Sequence, residues 1–296
     1  ASSFCNKDIL GPKFFKTQLD TLDIDEFLTA ICAIRHKEVT NKFFINYDHV
    51  RHQFKDSYKY ESILRLNLKD RFILSAEYLL HYDPQEPLYM GYDPGNFQSL
   101  IVAQKKDYGR RLDIIKEFFA FLPKDYNDLV AEVHQFFGSA AVNKTIYLYP
   151  DRAGNKRKEE REQITTDSLN LKAALESYGF MVVLYNEDAP TIYHWQQFKL
   201  CQMLFGERSP LLPIVRIDEN ECKNLCSAIM ISPLKKTEGK IELDKSSEKK
   251  QQLKNQAGLT TQLPSAMIYL LYGLYSDAVK AELSTYPTDF PGNFEI

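Results

Sequence analysis

The stretch LYMGYDPGNFQSLIVAQKKDYGRRLDIIKEFFAFL, residues 88–122, decides the fold. Its first part, LYMGYDPG, predicts a strand that ends in a tight turn, because Pro and Gly follow an apolar run. The remainder predicts two more strands, joined by a hairpin that contains glycine. The stretch therefore predicts an antiparallel meander of three strands.

The segments after this meander alternate between helical and strand patterns. Residues 125–140 carry apolar side chains on one helical face, and residues 144–155 predict a strand that ends in a polar turn. A capped helix over residues 165–179 and a buried strand over residues 180–186 complete the order β-β-β-α-β-α-β. Beyond them the patterns predict helices over residues 190–206, 221–232 and 263–276, an extended piece over 213–220, and a solvated hairpin or loop over 234–254.

The residues before the meander predict a smaller, mixed segment. Apolar residues at helical spacing in residues 22–37 are followed by aromatics in residues 43–60. HYDPQEP, residues 81–87, is rich in residues that break helices and strands, which is typical of a domain boundary. We therefore predict a helical and irregular segment over residues 1–84 and an α/β domain over residues 85–296.

The composition is that of a globular protein with a sizeable core. Of the 296 residues, 44% are hydrophobic, and 37 Lys and Arg against 40 Asp and Glu give a formal charge of −3. Any surface that binds nucleic acid must therefore be local. Five cysteines without a C-x-x-C pair favour neither a disulfide framework nor a structural zinc site. With no apolar run of membrane-spanning length, we expect a soluble intracellular protein.

Two aspartates stand where predicted strands end. Asp93 follows the first strand and precedes Pro94 and Gly95, and Asp151 closes the strand TIYLYP. Hydrolysis of a phosphodiester by in-line attack uses two divalent ions about 4 Å apart. Carboxylates at neighbouring strand ends suit Mg²⁺ or Mn²⁺, which prefer hard oxygen ligands. The pattern therefore predicts Asp93 and Asp151 as metal ligands, although Asp-Pro-Gly alone is also a common turn.

Several motifs occur in an order that resembles one protein family. They are GYDPG (91–95), YLYPDRAG (147–154), ITTDSLNLKAALESYGF (164–180), VRIDENECKNLCSAI (215–229), GKIELDKSSEKK (239–250) and SAMIYLL (265–271). In this order the chain from Glu86 to Leu274 resembles the C-terminal nuclease domain of the large terminase subunit of tailed bacteriophages, a ribonuclease H-like protein. Residues 22–52 are similar to the stretch that closes the packaging ATPase domain of that family.

The resemblance implies a fold and a function. The fold would be a mixed five-stranded sheet with helices on both faces, and the activity would be a metal-dependent endonuclease that cuts concatemeric double-stranded viral DNA during genome packaging. Two Mg²⁺ or Mn²⁺ ions would be the cofactors. The packaging ATPase domain, the small terminase subunit and the portal would be partners in the cytoplasm of the bacterial host. Because the chain lacks a G-x-x-x-x-G-K-[ST] loop, the ATPase would lie elsewhere in a longer protein or on a separate one.

The third metal ligand departs from the family pattern. The late helix of the family opens with Ser-Asp-Ala, whereas this chain has Pro264, Ser265 and Ala266. Serine is a poorer ligand than a carboxylate for a hard dication. We therefore expect Asp244 of the charged stretch to be the third catalytic and metal-binding acid, with Glu242 and Glu248 as alternatives.

A basic run follows the second aspartate. Its side chains are predicted to contact DNA phosphates, although such runs are often only solvated. They are Arg152, Lys156, Arg157, Lys158 and Arg161.

Three other functions remain open from the sequence. A resolvase or transposase-like nuclease would use the same acids on branched or transposon DNA. A DNA-binding or assembly module would keep the fold without cutting, because Ser265 replaces an acid. A Cys/His hydrolase built on Cys222 with His134 or His194 is disfavoured, because no local sequence places a nucleophile on a strained turn.

Overall fold

The computed structural model describes residues 7–21, 42–66, 73–151, 158–160, 163–185, 194–207, 209–237, 240–250, 253 and 255–285. The chain divides into two compact units, Ala1–Asn41 and Lys42–Ile296. In the first unit, the helix α1 (Lys7–Thr21) is kinked at Gly11, directly before Pro12. The helix predicted over residues 22–37 lies outside the described residues.

The second unit is built on a mixed sheet. Its strands, in chain order, are β1 (Gln53–Phe54), β2 (Leu88–Asp93), β3 (Gln98–Lys106), β4 (Arg111–Ala120), β5 (Thr145–Pro150), β8 (Met181–Leu184) and β9 (Ile214–Asp218). Across the sheet they follow the order β1-β9-β4-β3-β2-β5-β8. Two further pairs of strands form separate ribbons, β6 (Lys158–Glu160) with β7 (Gln163–Thr165) and β10 (Leu234–Thr237) with β11 (Lys240–Leu243).

The centre of this sheet has the predicted topology. Strands β2, β3 and β4 form an antiparallel meander, β5 pairs parallel to β2, and β8 pairs parallel to β5. This order is the ribonuclease H-like arrangement, so the predicted fold class is confirmed. The sheet is larger than the predicted five strands, because β9 adds parallel to β4 and β1 adds parallel to β9.

Helices cover both faces of the sheet. In chain order, the helices of this unit are α2 (His49–His52), α3 (Tyr60–Leu64), α4 (Tyr126–Phe137), α5 (Asp167–Ser177), α6 (His194–Gly206), α7 (Lys223–Ile231) and α8 (Gln262–Thr285). The apolar sides of α4 and α5 pack on one face, and those of α6, α7 and α8 pack on the other. Local sequence defines their starts: Asp125 forms a capping box at α4 and Thr166 caps α5. The five helices predicted after residue 122 are therefore all present.

Several described residues that precede β2 pack into the same two cores as the sheet. Phe43 and Phe44 are buried in the core under α6, α7 and α8. Ala76, Leu79 and Tyr82 are buried in the core on the opposite face. The compact unit that contains the sheet begins at Lys42. The domain boundary predicted at residue 85 stays a prediction.

Within the described part of the chain, no helix combines the length and apolar character that crossing a membrane requires.

The alternation of side chains along β2 decides which residues face α8. Leu88, Met90 and Tyr92 point into the core on the α4 and α5 face. The residues between them point to the α8 face, since successive side chains alternate across a strand. At Gly91 the helix comes so close that an added Cβ would lie 2.0 Å from the carbonyl oxygen of Ala266. The close approach of β2 and α8 therefore requires glycine.

We predict that Gly91→Ala destabilises the protein, because the methyl group would collide with helix backbone that cannot rotate away. Overpacking of this kind costs about 1–3 kcal/mol. Each kcal/mol of lost stability should lower the melting temperature by roughly 2–4 °C, which a thermal melt followed by circular dichroism measures.

Gly206→Ala is the matched control. Its added Cβ would first meet the Asn46 side-chain amide at 3.2 Å, and that side chain can move. We expect the control to melt close to the wild type. If Gly91→Ala also did so, the contact between β2 and α8 would not be as tight as described.

Candidate active site

Asp93 and Asp151 lie side by side at one edge of the sheet. In the parallel pair of β2 and β5, Tyr92 stands opposite Pro150, and the Asp151 N–H donates to the Tyr92 carbonyl oxygen at 2.8 Å. Neighbouring strands are about 4.8 Å apart. Alternation along β2 directs Asp93, like Gly91, towards α8. In β5, Tyr147 and Tyr149 pack on the α8 face, so Asp151, two residues after Tyr149, points to that face as well. The structure thus brings the two predicted aspartates together.

The Asp93 carboxylate is buried and held by few partners. Its residue is 3% exposed. Oδ1 accepts a hydrogen bond from the Gly95 N–H at 3.0 Å, and Oδ2 lies 3.5 Å from the Gln262 amide nitrogen and 3.8 Å from the Lys245 ammonium. Burial raises the pKa of Asp93 to about 7, the Lys245 charge opposes that shift, and the Asp151 and Glu248 charges add to it.

Glu248 is the acid of the charged stretch that acts on Asp93. It belongs to a 3₁₀ turn, Lys245–Lys249, which follows β11. Two contacts hold it: the Thr261 hydroxyl donates to its carboxylate, and the Asn96 amide donates to its backbone carbonyl oxygen at 2.8 Å. The Glu248 charge, like that of Asp151, raises the pKa of Asp93.

Asp244 and Glu242 have other roles in this structure. Asp244 caps the 3₁₀ turn, where its carboxylate accepts from the Ser246 N–H at 2.8 Å. Glu242 lies within β11, opposite Lys235 of β10. The charged groups that act most strongly on Asp93 are Lys245, Asp151 and Glu248. Asp244 stays a predicted ligand, and Glu248, one of the alternatives from the sequence, is the acid of this stretch whose charge raises the pKa of Asp93.

One face of α8 lies over the acids. Gln262, Ser265 and Tyr269 are three and four residues apart, so they share this face. Gln262 accepts from the Phe97 N–H at 3.3 Å and reaches Asp93 with its amide nitrogen. Burial raises the pKa of Tyr269 well above its usual value, and the nearby carboxylates, with a hydrogen bond to Asp151, raise it further. Tyr269 therefore stays protonated and acts as a donor.

Ser265 occupies the helix position between these two contacts. The residue is 2% exposed, and its hydroxyl oxygen has no hydrogen-bond partner among the described residues. A buried hydroxyl without a partner is costly, and such groups often mark a site for a ligand, ion or water.

The site has the ligand chemistry of a hard metal ion, but the acids are not gathered around a point. Across the ranges that the structure describes, no three Asp, Glu, His or Cys side chains lie close enough together to hold an ion. Asp93 and Asp151 do stand at adjacent strand ends, however, and the charges of Asp151 and Glu248 disfavour the ionised form of Asp93, a cost that a bound cation would relieve. The residues present fit a divalent metal if the carboxylates close in on it.

Most of the residues predicted to contact DNA lie outside the described residues. Of the basic run, only the backbone of Lys158 is described, as part of β6. The remaining four positions, Arg152, Lys156, Arg157 and Arg161, lie outside the described residues.

Sequence reasoning did not predict Lys245, Gln262 or Tyr269 as site residues. The available signal was their position: Lys245 lies next to the candidate Asp244, and the other two lie one turn before and after Ser265. Only the fold shows that these positions face Asp93 and Asp151.

A cysteine-based hydrolase is not supported. Cys222 is fully buried, and burial raises the pKa of its thiol well above the usual value. The thiolate is the nucleophilic form, so this side chain is inert at neutral pH.

Comparisons with known proteins give matches at the level of fold. No protein-family model matches the sequence, and no curated protein matches it either. The solved large terminase of a thermophilic bacteriophage is 10% identical, over 88% of this chain and 52% of its own, with a TM-score of 0.47. The P22 large terminase nuclease domain is 9% identical over 79% and 92%, with a TM-score of 0.47. The nuclease domain of the SPP1 large terminase, solved with bound Mn, is 12% identical over 70% and 94%, with a TM-score of 0.41.

The chain spans about half the length of the large terminase from the thermophilic bacteriophage. Because identities are near one in ten and every TM-score quoted is below 0.5, the likeness is one of fold alone. It does not decide the activity, the metal or the partners of this chain.

We predict that Asp93→Asn stabilises the metal-free protein above neutral pH. The substitution removes a buried charge that the charges of Asp151 and Glu248 disfavour, and it keeps a side chain of the same size. We expect a gain of about 1 kcal/mol or more, or roughly 2–4 °C in the melting temperature. Thermal melts in EDTA measure it.

Asp244→Asn serves as the control, because asparagine caps a turn as well as aspartate does. Its melting temperature should stay at the wild-type value. If Asp93→Asn melted no higher than the wild type, the charge of Asp93 would already be fully compensated without a metal.

Proposed function

We propose that this chain is a metal-dependent endonuclease that cuts concatemeric double-stranded viral DNA during genome packaging, as the nuclease part of a terminase large subunit. The observation that carries the proposal is the side-by-side placement of Asp93 and Asp151 at adjacent strand ends of a ribonuclease H-like sheet. The Glu248 charge, which raises the pKa of Asp93, supports this residue as a third acid. The ordered motifs of the sequence support the same family.

Asp93, Asp151 and Glu248 would hold the metal, and their oxygen ligands suit Mg²⁺ or Mn²⁺. Two such ions are the number that the resemblance implies. When bound, the metal supplies a polarised phosphoryl oxygen and a water of lowered pKa. In this proposal Glu248 takes the part that we first assigned to Asp244.

The surrounding side chains orient these ligands. The Gly95 N–H and the Gln262 amide fix Asp93, the Thr261 hydroxyl fixes Glu248, and Tyr269 donates to Asp151. Hydrogen bonds to ligating groups set their orientation, and their loss typically costs about 10–100-fold in metal affinity or activity. Buried neutral donors can do this without adding a competing charge.

DNA and protein partners follow from the resemblance. We propose that the basic run after Asp151 contacts the phosphates of double-stranded DNA, since backbone contacts position a duplex. The packaging ATPase domain, the small terminase subunit and the portal would be protein partners in the host cytoplasm.

We predict metal-dependent nicking and linearisation of supercoiled plasmid by the whole chain in Mn²⁺ or Mg²⁺, and none in EDTA. Asp93→Asn, Asp151→Asn and Glu248→Gln should each reduce cleavage by at least about 100-fold, because each removes a ligand rather than a supporting contact. Gel electrophoresis of the plasmid over time measures the rate.

Asp244→Asn is the matched control, since it changes an acid only four residues from Glu248. It should cut like the wild type. The reverse pattern, with Asp244→Asn inactive and Glu248→Gln active, would return the third position to Asp244. A preference for a four-way junction over linear duplex would instead indicate a resolvase-type nuclease.

A second function is favoured by one observation, the hydroxyl of Ser265 where the family places an acid. In that case the chain would bind DNA or assemble with partners without cutting. Uncut plasmid in every metal, together with a metal-independent shift of duplex DNA on a native gel, is the result that would support it.

A further inference from the structure

The acids of the candidate site already have a cation beside them. The Lys245 ammonium lies 3.8 Å from Oδ2 of Asp93. The Asp93 side chain is 4% exposed, whereas that of Lys245 is 35% exposed. The ion pair therefore joins a buried acid to a base that keeps contact with solvent.

Among the described residues, no other contact of Asp93 carries a positive charge. Its remaining partners there, the Gly95 N–H and the Gln262 amide, are neutral donors. Asp151 and Glu248 add negative charge close to it. Like charges gathered in a partly buried site are costly unless a cation compensates them. Of the charged groups acting on Asp93, Lys245 has the largest effect.

The position of Lys245 in the chain connects it to the third acid. It is the first residue of the 3₁₀ turn, Lys245–Lys249, that also contains Glu248. Its partial exposure and long aliphatic stem let the ammonium move into solvent without a change in the backbone. A divalent ion bound to the same carboxylates would repel it.

We propose that Lys245 is a built-in counter-cation, which compensates the acids in the metal-free protein and must be displaced when a divalent metal binds. The inference rests on the proposed metal-dependent function and adds how loading of that site is regulated. Lys245 is thus a positioning and competing residue, whose ion pair sets the metal concentration at which the site fills.

Competition of this kind lowers the apparent metal affinity, because metal binds only the fraction of molecules in which the site is free. Removal of the ammonium should therefore raise the affinity. A purely structural ion pair predicts the opposite, since its loss would loosen the turn that carries Glu248. The direction of the change separates the two roles.

The test is a titration of Mn²⁺ into the full chain, with free Mn²⁺ followed by electron paramagnetic resonance. We expect Lys245→Met to bind Mn²⁺ about tenfold more tightly than the wild type, since one partly exposed ion pair is lost. Lys245→Arg, which keeps the charge, should bind nearly as the wild type does. Lys249→Met is the matched control, because Lys249 lies in the same turn and is exposed, and its affinity should not change.

Thermal melts provide a second readout. Lys245→Met should melt lower than the wild type in EDTA and should gain more stability from saturating Mn²⁺. If the variant is unfolded without metal, Mn²⁺ should restore its melting transition. A failure of that rescue would overturn the proposal.

The metal site and the counter-cation are tested separately by these titrations. If the wild type binds Mn²⁺ and Glu248→Gln weakens it, while Lys245→Met binds equally or more weakly, the metal site stands and the counter-cation is refuted. If neither the wild type nor any variant binds Mn²⁺, the metal-dependent function itself is refuted, and the inference with it.

Discussion

The close packing of β2 against α8 determines most of what this structure can do. At Gly91 the strand and the Ala266 backbone leave no room for a side chain. Because the strand is held so near the helix, the next residue on that face, Asp93, lies under the first turns of α8. Gln262 and Tyr269 then reach the acids from one rigid helix face. A site built on packed elements is held more accurately than one built on loops.

This arrangement places negative charges close together in a buried site, which lowers the free energy of unfolding. A carboxylate buried as deeply as Asp93 would ordinarily be paired in full, yet its one cationic partner in the described part of the chain, Lys245, is itself partly in water. Proteins depart from the rules of core packing mainly where function requires it. The hydroxyl of Ser265, which the described residues leave without a partner, is a second departure at the same place. Together they indicate a site whose energetic balance a bound cation would change.

Local sequence patterns were sufficient for the meander, the five later helices and the two aspartates at strand ends. Their signals are short in range: a period of two or 3.6 residues, a cap, or an Asp after an apolar run. The edge formed by β9 and β1 was not predicted, although residues 213–220 were recognised as extended. Parallel pairing of β9 with β4 joins positions about a hundred residues apart, and no local pattern encodes that register. For the same reason, the burial of Phe43 and Phe44 could not be foreseen.

The third acid shows a different limit. Asp244 and Glu248 are four residues apart in one charged segment, and their residue types suit a metal equally well. The difference arises from their hydrogen bonds. The Asp244 carboxylate caps its own turn, whereas Asn96 and Thr261 donate hydrogen bonds to Glu248. Thr261 directly precedes α8, so this acid is tied to the start of the helix that carries Ser265.

In the proposed site, an acid attached to the beginning of α8 would take the place of an acid on the helix itself, and the two solutions would not be equivalent. A helix residue would be fixed by the packing of α8 on β2 alone. Glu248 shares its turn with Lys245, three residues earlier, which pairs with Asp93. A movement of the turn backbone would shift both residues, whereas the Lys245 side chain can also move into solvent by itself. In the proposed site the third ligand and the competing cation therefore share one turn, as they would not if the acid stood at position 265.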